Sequence, residues 1–154
     1  MKTTELKLGE ILQLEAEVNG FVNPQTGEVI SKGLISELIK FKTKYWLMQL
    51  SEDVVADRNK IEKSREELLK ELGDTNEDGS IELKMYINEI KDEQGEIVSQ
   101  TVNPKYIEFQ EKFNSLLSDT KTITHKDFKL DDFDSVESGS VYPIFFKLIS
   151  KDEA

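Results

Sequence analysis

The chain has 154 residues, about the length of one domain, with 31 acidic and 20 basic side chains and a formal net charge of −11. No apolar run reaches the roughly 18 residues that a membrane span needs. The absence of Cys excludes disulfides, thiolate nucleophiles and cysteine metal sites. The net charge of −11 also argues against binding to a phosphate backbone, which needs clustered Lys and Arg. We therefore expect one soluble domain over residues 1–154, without a nucleic-acid or membrane partner.

The first 30 residues predict a short strand, a short helix and a turn. Leu6 and Leu8 alternate with Lys7, as in an extended segment. Gly20 stands where a helix C-cap would lie, and residues 23–27 contain the Pro and Gly of a turn. The apolar face of this helix consists of Ile11, Leu14 and Val18.

The strongest pattern runs from Leu34 to Leu72 without Pro or Gly, and it predicts one helix of about 40 residues and roughly 55 to 60 Å. A cap-like Ser51 inside it leaves a kink or a break into two helices open. Two apolar rows follow this helix. The first is Leu34, Leu38, Phe41, Tyr45 and Met48, and the second is Trp46, Leu50, Val54, Ile61, Leu68 and Leu72.

The second half predicts shorter elements. Alternation over 81–87, a turn at 92–95 and a return strand at 96–102 indicate a β-hairpin. Pro104 then begins a helix. The remaining predictions are short strands at 122–124 and 128–130, a turn or helical start at 131–134, a loop at 138–140 and a central apolar run at 142–149. The fold class is therefore α+β, a long helix or helical hairpin (about 9–72) with a small β-rich head (about 80–150).

One acidic segment resembles a calcium loop. Asp74, Asn76 and Asp78 match the oxygen-bearing positions 1, 3 and 5 of an EF-hand. Position 12 should supply a bidentate acid, and here it is Met85. The pattern therefore favours an acidic turn in which Gly79 adopts a positive φ. We predict no metal site and no cofactor, and weak calcium binding by the three residues stays open.

His125 is the only histidine, and it ends a short polar strand beside Lys126 and Asp127. A catalytic histidine needs a nucleophile and an orienting group, and neither stands at a recognisable spacing. We therefore expect an exposed surface histidine. Carboxylate pairs such as Glu66–Glu67 arise by chance among 31 acids, and no Gly-rich phosphate loop occurs. The sequence predicts no catalytic residue and no enzyme.

Residues 40–46, Lys-Phe-Lys-Thr-Lys-Tyr-Trp, are the one basic and aromatic-rich stretch. Since Trp and Tyr recur at interface hot spots, this stretch could bind a partner. The alternative is a helix whose aromatic rings face the core while its lysines extend to solvent. The helical row through Phe41, Tyr45 and Met48 favours this alternative. No binding residue is assigned.

Four stretches, taken in order, resemble a group of short, mostly uncharacterised proteins encoded by tailed bacteriophages. This resemblance spans most of the chain and implies a phage product acting in the host cytoplasm or in the virion. It transfers no catalytic residue. The four stretches are Lys44-Tyr45-Trp46-Leu47, Arg65-Glu66-Glu67-Leu68-Leu69-Lys70, Asp78-Gly79 and Asn103-Pro104-Lys105-Tyr106-Ile107-Glu108-Phe109.

The long amphipathic helix cannot bury its apolar stripe alone, which invites self-association or a protein partner. We therefore expect a non-enzymatic interaction protein, a phage structural or assembly component. One alternative is an acidic inhibitor that occupies a basic surface of a host protein, as the charge of −11 suggests. A second alternative is a weak calcium-binding module.

Overall fold

A computed structural model describes residues 1–37, 39–133 and 142–150. The helices in this part of the chain are α1 (Leu8–Asn19), α2 (Phe41–Leu72), α3 (Pro104–Ser118) and α4 (Pro143–Phe146). The strands are β1 (Lys2–Lys7), β2 (Phe21–Val22), β3 (Val29–Ser31), β4 (Asp74–Thr75), β5 (Ile81–Glu82), β6 (Tyr86–Lys91), β7 (Ile97–Val102), β8 (Thr120–His125), β9 (Phe128–Lys129) and β10 (Ile149–Ser150).

The strands of the described ranges pair two by two, in five separate sheets. Most pairs are local hairpins, namely β2–β3, β4–β5 and β6–β7. The longest-range antiparallel pair joins β1 to β8, with Lys2 opposite His125 and Lys7 opposite Thr120. β9 and β10 pair in parallel. Mixed helix and strand with one long helix confirms the α+β class.

The predicted N-terminal strand, helix and turn are confirmed as β1, α1 and the β2–β3 hairpin. At the start of α1, the Glu10 carboxylate accepts a hydrogen bond from the backbone N–H of Lys7. At its end, Gly20 adopts a φ of 81°. A Cβ at Gly33 would lie only 2.3 Å from the Gly20 nitrogen, so the two backbones touch where only glycine fits.

Helix α2 contains 32 residues, roughly 48 Å at about 1.5 Å per residue, and begins at Phe41. The predicted start at Leu34 is wrong, because residues 34–36 form a 3₁₀ turn that buries Leu34 against α1. Leu38 lies outside the described residues. The helix continues through Ser51, whose hydroxyl donates to Asn19 on α1, 2.6 Å away, instead of capping a second helix.

The expected core face of α2 is also wrong. Phe41, Tyr45 and Met48 are exposed, whereas the buried residues of α2 belong to or adjoin the second row. Both rows fit a helical period, and the helix packs only one of them. The buried apolar residues of this helix are Leu47, Leu50, Val54, Ile61 and Leu72.

Two compact units are distinguished along the chain, Met1–Lys60 with Leu117–Ala154, and Ile61–Leu116. The prediction of a single domain stays a prediction. The first unit has one hydrophobic core, in which the predicted central packing of residues 142–149 is confirmed. This core contains Leu6, Ile11, Leu14, Val18, Leu34, Leu47, Leu50, Val54, Ile123, Phe128, Tyr142, Ile144, Phe145 and Leu148.

Polar contacts fix the ends of this core. The buried Glu17 carboxylate accepts hydrogen bonds from the backbone N–H groups of Ile144 and Phe145, each at 3.0 Å, where α4 begins.

The short strands expected at 122–124 and 128–130 are confirmed as β8 and β9. Residues 130–133 form a 3₁₀ turn, which confirms the predicted helical start. The predicted loop at 138–140 lies outside the described residues.

The second unit holds two hairpins and α3. The strand expected over residues 81–87 divides, since β5 pairs with β4 while β6 pairs with β7. The predicted turn at 92–95 and the helix start at Pro104 are confirmed. Before this helix, the Asn103 side chain donates to the carbonyl of Lys84 at 2.8 Å. No helix of the described ranges is both long and apolar enough to cross a bilayer.

Candidate functional site

Within the first unit, charged contacts hold α2 against α1 and β8. On one side, the Arg58 guanidinium lies 3.0 Å from the Glu15 carboxylate of α1. On the other side, Lys121 of β8 donates to the Asp57 carboxylate. Both carboxylates are largely buried, so solvent screens these ion pairs less than it would on an open surface. The orientation of this part of α2 about its axis is therefore fixed.

The face of α2 that points away from the core carries Phe41, Tyr45 and Met48, which we call the aromatic stripe. Spacings of four and three residues place the three side chains on one side of the helix. Their exposed fractions are 87%, 57% and 52%. At about 100° per residue, the stripe lies roughly opposite the buried row of Leu47 and Leu50.

Charges follow the stripe in a fixed order. Lys42 and Lys44 flank it on either side near its N-terminal end, and Lys40 directly precedes the helix. Glu52 lies one turn beyond Met48 on the same face, and it is exposed. Between Lys40 and Asp53 the exposed face of α2 thus changes from basic to acidic, with the apolar side chains of the stripe between.

Trp46 belongs to the packed side of this segment. It is half-buried, lies against the hydrophobic core and meets the Tyr45 ring edge-on, with 5.1 Å between the centroids. The Lys126 ammonium sits 5.3 Å from the Trp46 ring centroid, within range of a cation–π interaction. The interpretation that all aromatic residues of 40–46 face the core is therefore wrong for Phe41 and Tyr45.

The expectation of an exposed His125 is wrong, because its side chain is only 3% exposed. Pairing of β1 with β8 covers it, and the Thr4 hydroxyl lies 2.7 Å from Nε2 while the Lys126 carbonyl lies 2.8 Å from Nδ1. Since a carbonyl oxygen only accepts, Nδ1 carries the hydrogen and Nε2 accepts from Thr4. Burial lowers the pKa of His125 and favours this neutral form.

A pocket of about 300 Å³ opens beside His125 and is lined in part by Trp46, Leu50 and Lys126. Both imidazole nitrogens are already engaged, so the ring offers no free nitrogen to a ligand. Within the described ranges, no buried side-chain polar atom lacks a hydrogen-bond partner.

The calcium-like segment forms a tight hairpin, which confirms the predicted turn. Gly79 adopts a φ of 87°, and the backbone N–H of Asn76 donates to the carbonyl of Ser80 at 2.7 Å. Asp78 Oδ1 accepts from the hydroxyl of Ser80 at 2.6 Å and from its N–H at 2.9 Å. The hydrogen bond from the Ser80 hydroxyl is the main cause of a lowered pKa of Asp78, and the bond from the Ser80 N–H adds to it. The part of the chain that the structure describes holds no group of three His, Asp or Glu side chains suited to a metal ion.

The second unit has its own exposed apolar surface, on the β6–β7 hairpin. Ile90, Ile97 and Val98 are each at least 49% exposed. The register of the two strands shifts between Ile87 and Ile90 and again before Lys91. Such bulges twist a strand edge and hinder further pairing. The aromatic stripe, on a regular helix, is the better defined of the two surfaces.

No protein-family model, curated protein or solved structure matches this chain. The sequence contained the relevant signal, since residues 40–46 combine three lysines with three aromatic rings. The sequence does not show which of the two apolar rows of α2 is buried, and this decides which side chains are exposed to solvent.

Proposed function

We propose that this chain is a non-enzymatic interaction protein that binds a protein partner or a second copy of itself through the aromatic stripe. The observation that carries the proposal is the exposure of Phe41, Tyr45 and Met48 on the face of α2 opposite the core. Single exposed apolar residues are common on protein surfaces. Three of them on successive turns of one helix face, with lysines beside them, form the apolar centre and charged rim of an interface.

Burial of the stripe supplies a driving force. A Phe or Met side chain contributes roughly 1.5 to 3 kcal/mol when it moves from water to an apolar contact. Tyr45 adds a large ring together with a hydroxyl that can stay at the rim. Part of this gain is offset by the loss of translational freedom and of side-chain rotamers. The stripe therefore supports a modest interface whose affinity depends on the charges around it.

Support for the non-enzymatic part comes from His125. Its two nitrogens are occupied by Thr4 and by the Lys126 carbonyl, so its contacts suit a structural role. We further propose a phage structural or assembly role, in the host cytoplasm or the virion. That part rests on the sequence resemblance alone. In this proposal the small β-rich head keeps its predicted bounds of about 80–150, which include residues of both units.

The test compares the wild type with a variant that carries Phe41→Ser, Tyr45→Ser and Met48→Ser. Sedimentation velocity measures self-association, and affinity capture from a bacterial lysate measures binding to other proteins. We expect one of these interactions in the wild type and its loss in the variant, while circular dichroism shows an unchanged fold. The control is Val29→Ser with Ile30→Ser, two exposed apolar residues of the β2–β3 region. Equal behaviour of wild type and stripe variant would contradict the proposal.

A further inference from the structure

We propose that the partner of the aromatic stripe is a second copy of this chain, with α2 packed antiparallel on α2 about a two-fold axis at Met48. The inference rests on the proposed function and names its partner. It involves only residues of the first compact unit.

The charges beside the stripe complement those of a second copy of α2 only when the two helices are antiparallel. Lys40, Lys42 and Lys44 lie at the N-terminal end of the stripe, and Glu52 and Asp53 lie past its C-terminal end. Antiparallel packing of two identical helices brings the basic end of each to the acidic end of the other. Parallel packing brings like charges together, which costs free energy. Antiparallel helix dipoles also attract.

An axis at Met48 gives a definite register. Residues equally far before and after the axis then face each other, so Lys44 lies opposite Glu52 of the second copy, twice by symmetry. In the same way Phe41 lies opposite Val55 of the second copy, and Met48 meets its own equivalent. Phe41, Met48 and Val55 are spaced by seven residues, the repeat that keeps one seam of a helix in contact with another.

The order of charges along the helix favours this partner over a generic acidic helix. Two chains of −11 repel each other except where local charges complement each other. An acidic partner helix would satisfy the lysines but would place its carboxylates against Glu52 as well. A second copy pairs the lysines at one end of the stripe and Glu52 at the other with opposite charges. Because a two-fold contact uses the same surface on both copies, it buries both stripes.

The decisive experiment is a charge swap followed by sedimentation equilibrium. Lys44→Glu or Glu52→Lys alone places like charges together twice in the dimer, and we expect each to raise the dissociation constant about tenfold. The double variant K44E/E52K restores opposite charges, and we expect its dissociation constant to return to within about threefold of the wild type. Lys63→Glu, on the part of α2 outside the first unit, is the control and is expected to leave the constant unchanged.

This rescue separates intermolecular from intramolecular effects. Lys44 and Glu52 are eight residues apart on the same helix, too far to form an ion pair within it. Failure of the double variant to restore association overturns the proposed register. A wild type that stays monomeric up to the highest soluble concentration overturns the proposed partner.

A cysteine-free chain permits a second test. Met48→Cys places one thiol from each copy at the axis. Mild oxidation is therefore expected to produce a disulfide-linked dimer at protein concentrations at which the chain associates. Thr26→Cys, in the exposed β2–β3 turn, is the matched control and is expected to stay monomeric. Equal cross-linking of both variants would reflect random collision and would overturn the inference.

The two proposals fail differently. A monomeric wild type whose stripe variant loses capture of another protein overturns the self-association but keeps the proposed function. A monomeric wild type that captures nothing through the stripe overturns both.

Discussion

The two compact units differ in how much of their apolar surface they bury. In the first unit, residues from α1, α2, β8 and α4 share one core that includes Phe128 and Phe145. In the second unit, Phe109 is the only residue of α3 that is buried, and both strands of the β6–β7 hairpin are largely exposed. Since stability follows buried apolar contact, the first unit is expected to hold its structure under conditions that open the hairpin.

The largest expected effect is Phe128→Ala. Phe128 is 1% exposed and lies among the rings of His125, Phe133 and Phe145, so its removal leaves a cavity and is expected to lower the free energy of unfolding by about 3 to 5 kcal/mol. Phe41→Ala is the matched control, because Phe41 is 87% exposed and its change should stay within about 0.5 kcal/mol. Urea titration at low protein concentration measures both. Equal losses would refute the assigned faces.

Next in size is Glu17→Ala. The variant leaves the buried N–H groups of Ile144 and Phe145 without their acceptor, at about 1 to 3 kcal/mol for each unpaired group. Thermal unfolding measures the loss. Glu28→Ala, at an exposed position of the β2–β3 hairpin, is expected to change little. A small effect of Glu17→Ala would mean that α4 does not depend on this carboxylate.

Hydrogen exchange sharpens the comparison without any substitution. The amides of β8 are paired with β1 beside the core, whereas β7 pairs with β6 in an exposed ribbon. We expect ladder amides of β7 to exchange at least about tenfold faster than those of β8, since isolated hairpins are only marginally stable. Equal protection of the two strands would show that the hairpin is as stable as the core.

The smallest effect expected is the pH dependence from His125. Burial lowers its folded pKa, so the unfolded chain binds the proton more tightly. Stability is then complete above the unfolded pKa of about 6.5 and decreases as the pH falls below it, towards the folded pKa. Melting temperatures between pH 7.5 and 5 are expected to fall more for the wild type than for His125→Gln. Identical slopes would show that this imidazole does not titrate with folding.

The sequence was sufficient to predict the helix ends and turns that depend on a single Gly or Pro. The helix ending at Gly20, the turn at Gly79 and the helix starting at Pro104 each depend on a residue with a restricted or special backbone. The buried run at 142–149 followed from its composition. These predictions needed no knowledge of which segments meet.

Most of the errors involve contacts between distant segments. The start of α2 moved to Phe41 because Leu34 packs on α1, and the exposed row of α2 was decided by the elements beside it. His125 is buried because β1 pairs with β8, and Thr4 of β1, 121 residues away along the chain, contacts its imidazole ring. For the same reason the sequence showed the residues of the aromatic stripe without showing that solvent reaches them.

The pairing of β1 with β8 also sets the order of events during synthesis. Lys7 leaves the ribosome long before its strand partner Thr120. At roughly 5 to 20 residues per second, on the order of ten seconds separate the two strands. During that interval β1 has no partner and the core lacks Ile123, Phe128 and Phe145. The nascent chain therefore exposes α1 and α2 throughout this interval, and the core of the first unit can be completed only after Leu148 has been added.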